Sequence, residues 1–306
     1  MVMKIYSNAN LKKKHHNGVI AIGNFDGLHL GHQKVINEAK QKARKNKLPF
    51  GLMTFEPMPV MFFSNNTKDH RINSIQQKKI KLNKLKLDFV IIIRFNRKFS
   101  SITAREFIEK ILYKKTKCKY LYVSRNFKFG FKRQGNVKIL KKFEKQFNYQ
   151  NVVTKPFKKN YKTISSTFIR KKIREGKVSL VNKLLNRNWC IEGKVIKGKK
   201  RGRKIGFPTC NMKLNSYVIP KLGVYAVKVK GKNFNKNGIA NIGYRPTFKG
   251  QNLLLETNIF GIKQNLYNKM IEVNFKKFIR PEKKFINLEH LKKQIKVDVK
   301  EAKKNV

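Results

Sequence analysis

The chain runs to 306 residues, 40% of them hydrophobic, and carries 73 Lys and Arg against 16 Asp and Glu for a formal charge of +57. That length accommodates two ordinary domains, each burying its own core. Cys118, Cys190 and Cys210 are widely spaced with no Cys-x-x-Cys pair, which excludes a disulfide framework and a zinc site, and no run approaches the roughly 18 apolar residues of a membrane span.

The opening Met-Val-Met-Lys-Ile-Tyr passes directly into polar residues without the apolar stretch of a signal peptide. The expectation is a soluble, cytoplasmic protein with no membrane partner, acting as a monomer. Lys is spread through nearly every segment together with abundant Asn, Ile and Phe, a pattern read as compositional drift rather than a nucleic-acid patch. No specific nucleic-acid partner is expected, although so basic a surface attracts anions. The rival reading, a nucleic-acid-binding protein, would reveal itself by salt-dependent RNA or DNA binding that competes with nucleotide.

Through the first half, short apolar runs alternate with helical stretches: a strand at 19–22, a helix over 31–45, a strand at 50–55, a helix over 75–86, a strand at 89–93, a helix over 104–113 and a strand at 120–123. This rhythm predicts a parallel α/β sheet with crossover helices, and a nucleotide site where strands end and helices begin. Helices follow at 165–175 and 178–185. From Trp189 onward β-rich runs at 189–196, 223–229, 238–242, 253–260 and 270–278 are broken by Gly, Asn and Pro, predicting a small antiparallel β-barrel. An amphipathic helix over 287–303, with Leu288, Leu291 and Ile295 at helical spacing, packs against it. The change of rhythm sets the domains at 1–186 and 187–306.

The string Gly23-Asn24-Phe25-Asp26-Gly27-Leu28-His29-Leu30-Gly31-His32 follows one predicted strand and opens a predicted helix. A helix N-terminus offers backbone N–H groups and a positive dipole end to a phosphate, and the glycines allow close approach. His29 and His32, three apart, share a helical face. As an isolated His-x-Gly-His they are two surface histidines; in this context they read as phosphate donors. The string resembles the G-x-F-D-G-x-H-x-G-H signature of the adenylyltransferase module of prokaryotic bifunctional riboflavin kinase/FAD synthetases. Thr54-Phe55-Glu56-Pro57-Met58-Pro59, Phe127-Lys128-Phe129-Gly130 and Ile164-Ser165-Ser166-Thr167-Phe168-Ile169-Arg170 resemble further segments of that family.

The resemblance implies a Rossmann-like nucleotidyltransferase fold in which FMN attacks the α-phosphorus of ATP to form FAD and pyrophosphate. It assigns Gly23, Phe25, Asp26, Gly27, His29, His32, Ser166, Thr167 and Arg170 to ATP, with His29 and His32 catalytic. Asn126 and Phe55 fall on the flavin side, and for Phe55 core packing at a strand end stands as an equal alternative. Ser124 and Arg125 stand where the family carries Gly and an acid, and Thr163 where it often carries a basic residue.

Gly198-Lys199-Lys200-Arg201-Gly202-Arg203-Lys204-Ile205-Gly206-Phe207-Pro208-Thr209-Cys210-Asn211 begins like a basic hairpin but continues as G-R-x-x-G-F-P-T-x-N, which resembles the riboflavin kinase signature. Ala240 to Phe248, Leu255-Glu256-Thr257 and Arg280 to Phe285 extend that resemblance. It implies ATP contacts from Gly198, Arg203, Gly206, Pro208, Thr209 and Asn211, and a magnesium ion on the hard oxygens of Thr209 and Asn211. Glu256 is implied as catalytic base for the ribityl 5′-hydroxyl attacking the ATP γ-phosphorus. Arg280 and Glu282 either order a flavin-side flap or form a structural ion pair. Riboflavin, FMN and ATP are the implied substrates.

Overall fold

The computed structural model describes residues 3–64, 70–159, 162–198, 201–214, 216–247 and 250–306. It falls into two compact units, Met1–Thr67 with Ile75–Ser165 and Lys68–Ser74 with Ser166–Val306. Lys199, Lys200 and Phe248 of the kinase-like strings lie outside the described residues.

The first unit contains β1 (Lys4–Tyr6), β2 (Val19–Ile22), α1 (Leu30–Lys45), β3 (Phe50–Glu56), α2 (Pro59–Phe63), α3 (Ile75–Asn83), β4 (Phe89–Arg94), α4 (Arg97–Ser100) and α5 (Ala104–Glu106). A π-helix (Phe107–Thr116) continues from α5, followed by β5 (Tyr120–Ser124), α6 (Val137–Lys142), β6 (Gln150–Thr154) and a short antiparallel ribbon, β7 (Lys158–Lys159) with β8 (Lys162–Thr163). Six strands form one parallel sheet in the order β1-β4-β3-β2-β5-β6. All four residues of β2 are buried, as expected of a central parallel strand covered on both faces. Alternate residues serve opposite cores. Ile20, Ile22, Met53 and Ile91 pack with Phe107 and Ile108 on one face, while Val19, Ala21, Leu52 and Val90 pack with Val35, Ile36 and Ala39 of α1 on the other. The chain progresses outward from β2 through β3 and β4, then returns to β2's other side as β5, so the strand order reverses at β2. That reversal opens a crevice beyond the carboxyl ends of β2 and β5.

The second unit begins with α7 (Ser166–Arg174) and α8 (Val178–Leu185), then β9 (Cys190–Lys194), α9 (Arg201–Lys204), β10 (Cys210–Lys213), β11 (Gly223–Lys230), β12 (Asn235–Thr247), β13 (Gly250–Ile259), β14 (Met270–Arg280) and α10 (Leu288–Lys304). Its antiparallel sheet runs β10-β13-β12-β11-β14-β9, and a single antiparallel bridge between Ile196 and Asn211 joins the two ends into a near-barrel. Trp189, Tyr225 and Phe275 are fully buried and meet with ring centroids 4.8 and 5.1 Å apart. The helix α8 docks through Asn182, whose Nδ2 donates to the Phe275 carbonyl and whose Oδ1 accepts from the Trp189 N–H. Residues 70–74 also belong here: Arg71 bridges in parallel to Tyr217, and the Trp189 indole N–H donates to the Ile72 carbonyl at 2.9 Å. Sequence rhythm missed β1, β6 and β10, three strands of three to five residues that are too short to show a period. It also read 104–113 as an ordinary helix where most of the segment is a π-helix.

Candidate active sites

In the first unit the Gly23–His32 string occupies the crevice end of β2. Its backbone is forced into the left-handed region at Phe25 (φ 47°), Gly27 (φ 82°) and Leu28 (φ 44°), which folds a tight corner between strand and helix. Non-glycine residues rarely adopt that conformation, and such strain is tolerated where surrounding structure enforces it. Here the ring of Phe25 and the side chain of Leu28 are buried in the α1-side core. A second restraint comes from the buried Lys78 of α3. Its ammonium donates to the Asn24 carbonyl and to Thr54 Oγ1, each at 2.6 Å, tying the loop to β3.

His29 is the N-cap of α1, its Nδ1 accepting the His32 N–H at 3.3 Å. In the neutral ring this leaves the proton on Nε2. The two imidazoles stack with centroids 3.7 Å apart and planes at 21°, and Phe25 meets the His32 ring edge-on at 5.4 Å. Both histidines therefore sit together at the start of a 16-residue helix. Gly31 keeps the turn open: a Cβ there would lie 3.0 Å from the Ile164 carbonyl oxygen and 3.1 Å from the His29 ring.

Phe55 lies buried in the core of the other sheet face, its ring 6.3 Å from Phe95 and 5.9 Å from Phe99. Asn126 is exposed in the turn after β5, and Phe129 of the neighbouring loop is buried against Phe127 and Phe107. Ser166, Thr167 and Arg170 open α7 in the second unit. There Arg170 is buried and its Nε donates to the His70 carbonyl at 2.8 Å.

The second constellation is built by strand register. Asn211 of β10 pairs with Glu256 of β13, which pairs on its other side with Asn241 of β12. Directly paired residues project on the same face, so the three side chains form one row. Among the described residues, Oδ1 of Asn211 and Oδ1 of Asn241 are buried without a hydrogen-bond partner, which places two oxygen acceptors either side of the carboxylate. Gly198 packs against Asn211 so closely that a Cβ would fall 1.9 Å from Asn211 Nδ2. Between them the loop turns at Gly206 (φ 86°), with the Gly202 carbonyl accepting the Phe207 N–H at 2.8 Å. Arg203, Pro208 and Thr209 are exposed on this loop, and Asn258 Nδ2 donates to the Pro208 carbonyl at 2.6 Å.

Two arginines of this unit hold carboxylates in ion pairs. Arg245 donates through Nε and Nη2 to Glu256 Oε2 (2.9 and 2.6 Å) and through Nη1 to Glu282 Oε1 (3.1 Å). Burial alone would lower the guanidinium pKa, but the bonds to Glu256 and Glu282 outweigh it and the group is held more firmly charged than usual. Arg280 grips the buried Asp298 of α10 with contacts of 2.6 to 3.0 Å and lies 5.7 Å from the Phe285 ring centroid. Of the alternatives left open for Arg280 and Glu282, both residues are found in ion pairs, with different partners. Sequence reading passed over Lys78, Asn241, Arg245 and Asp298. Asn241 and Arg245 carried a signal, standing inside the Ala240 to Phe248 string; Lys78 and Asp298 carried none beyond being polar.

A nucleotide-type loop at the reversal point of a parallel sheet, followed by a carboxylate-bearing near-barrel, defines a two-module nucleotide-dependent transferase. Residues 11–168 match the family model described as FAD synthetase, and residues 185–306 that described as riboflavin kinase. The bifunctional riboflavin kinase/FMN adenylyltransferase of Buchnera aphidicola subsp. Schizaphis graminum is 41% identical over 96% of both chains. That of Haemophilus influenzae is 42% identical over 93% of this chain and 92% of its own, and that of Escherichia coli K12 is 37% identical over 90% and 89%. A solved structure titled as a macrolide-efflux protein from Streptococcus pneumoniae has the same fold, with a TM-score of 0.88 and 28% identity over 99% of both chains. Among the described residues, no helix is long and apolar enough to cross a membrane. The chain belongs to the bifunctional riboflavin kinase/FMN adenylyltransferase family, ATP-using enzymes that convert riboflavin to FMN and FMN to FAD.

Proposed function

We propose that the two reactions are run by separate constellations, with Glu256 as the base of the kinase and the His29/His32 loop as the phosphate cradle of the adenylyltransferase. The observation that carries the reading is the row Asn211–Glu256–Asn241, a carboxylate flanked by two buried, unpartnered amide oxygens. In the kinase, Glu256 accepts the proton of the ribityl 5′-hydroxyl as its oxygen attacks the γ-phosphorus of ATP; the O–P bond forms and ADP leaves. The loop from Gly198 through Arg203 and Gly206 to Pro208 lies along the ATP phosphates. Asn211 Oδ1, a buried hard oxygen lacking a donor, fits a magnesium ion with Thr209 as its neighbour. When bound, that ion neutralises phosphate charge.

In the adenylyltransferase, an FMN phosphate oxygen attacks the α-phosphorus of ATP and pyrophosphate departs. This chemistry needs positioning and charge neutralisation rather than a covalent nucleophile. Gly23, Phe25, Asp26 and Gly27 shape the loop from which His29 and His32 bind the nucleotide phosphates, while Ser166, Thr167 and Arg170 are assigned to ATP by motif position alone. Phe55, Asn126 and Arg280 are assigned to flavin binding by motif position. For Phe55 and Arg280, the core packing and the Asp298 pair support a supporting role behind the flavin.

The test is chromatographic. Full-length protein given riboflavin, ATP and magnesium yields FMN and then FAD, and chelation of magnesium with excess EDTA stops FMN formation. Failure to make either nucleotide overturns the whole reading; undiminished FMN formation under EDTA removes the metal from it.

A further inference from the structure

We propose that Arg245 is a positioning residue for phosphorylation: its guanidinium holds Glu256 by one carboxylate oxygen, leaving the other to accept the proton, and locks that arrangement to Glu282 beyond the end of β14. The inference rests on the reading of Glu256 as the base.

Three features carry it. Both short bonds from Arg245 converge on Oε2 of Glu256, while Oε1 has no hydrogen-bond partner among the described residues. A carboxylate restrained at one oxygen presents the other in a fixed direction, which an unrestrained side chain does not. Next, the guanidinium is shared. Glu282 Oε1 accepts from Arg245 Nη1 and from Asn241 Nδ2, each at 3.1 Å, so the segment after β14 is pinned to the same cation as Glu256. Finally, β12 leaves space for this arrangement. A Cβ on Gly243 would sit 2.0 Å from Glu282 Oε1 and 2.8 Å from Arg245 Nη1, yet Gly243 is not among the residues of positive φ. Its absent side chain therefore serves the ion pair rather than the backbone.

The side chains of Arg245, Glu256 and Glu282 retain only 33, 27 and 34% of their exposure, so bulk solvent screens the network less than a surface pair. A planar fork with several fixed donors spans two carboxylates in this way; an ammonium on a flexible stem does not.

The experiment uses the full chain, with FAD formation from FMN as the internal measure of folding. Arg245→Met is expected to lower kcat for FMN formation by about 10- to 100-fold, with KM for riboflavin and for ATP held within about twofold. FAD formation is unchanged. Arg245→Lys recovers only part of the loss, and Arg245→Met adds nothing in a Glu256→Gln background. An inactive Glu256→Gln beside an Arg245→Met of normal kcat overturns the inference, as does a raised KM at unchanged kcat, which would make Arg245 a substrate ligand. A fully active Glu256→Gln instead overturns the base reading itself, and the inference with it. If Arg245→Met also loses FAD formation, Arg245→Lys carries the test on the same kcat criterion.

Discussion

In the parallel-sheet unit the candidate site side chains sit on a loop whose backbone is forced, whereas in the near-barrel they sit on strands whose backbone is ordinary. Phe25, Gly27 and Leu28 all have positive φ, and the corner they make delivers His29 and His32 to a helix start. Asn211, Glu256 and Asn241 need no such strain, because antiparallel pairing alone sets them in a row. A loop site is thus sensitive to backbone freedom at a few positions. A strand site is sensitive to register and to the ion pairs that restrain its side chains.

The largest effect that would sharpen this comparison is loss of the base. Glu256→Gln should lower FMN formation by about 10²- to 10⁴-fold while FMN-to-FAD conversion is retained, measured by separate initial rates on one preparation. His32→Ala should invert the pattern, lowering FAD formation by roughly 10²-fold and sparing the kinase. Loss of both activities in either variant breaks the independence of the two sites. At a third level, Gly243→Ala should reduce FMN formation on the order of tenfold by displacing the Arg245–Glu282 contact. FAD formation reports on whether the rest of the chain is intact.

Smaller still, Gly27→Ala should cost about 1–2 kcal/mol of stability, read as a lowered midpoint in urea, since alanine must adopt the left-handed conformation there. No comparable penalty is expected for a strand glycine of ordinary φ with room around it. The smallest effect concerns the thiols. Burial pushes Cys118 up to about 12 and Cys210 to about 11, so neither is a thiolate near neutrality. Alkylation by iodoacetamide at pH 8 should be negligible in the native protein and complete after unfolding. Rapid native labelling of Cys118 would mean that the parallel-sheet core opens readily.

Much of the candidate site could be proposed from sequence because its residues lie in unbroken strings. Gly23 to His32 spans one strand end and one helix start, and Pro208 to Asn211 lies at the head of one strand, so local order alone brings those groups near one another. Glu256 was legible only through resemblance, because a single Glu on a β-rich run has nothing local to mark it. Arg245 lies eleven residues from Glu256 along the chain and meets it only through the β12–β13 hairpin. Lys78 reaches Asn24 across fifty-four residues.

The sequence by itself determined the alternation of strands and helices in the first unit, the β-rich second unit with its terminal helix, and the motif residues. Those features depend on short-range periodicity and on backbone preferences of Gly, Pro and Asn. Only the tertiary structure decided that residues 70–74 and the helices α7 and α8 belong with the near-barrel, that Ile196 and Asn211 join the sheet's ends, and that Arg280 pairs with Asp298. The physical reason is the same in each case. Burial of Trp189 and pairing of buried charges are satisfied by whichever partners the completed fold brings close, and sequence separation places no limit on who those partners are.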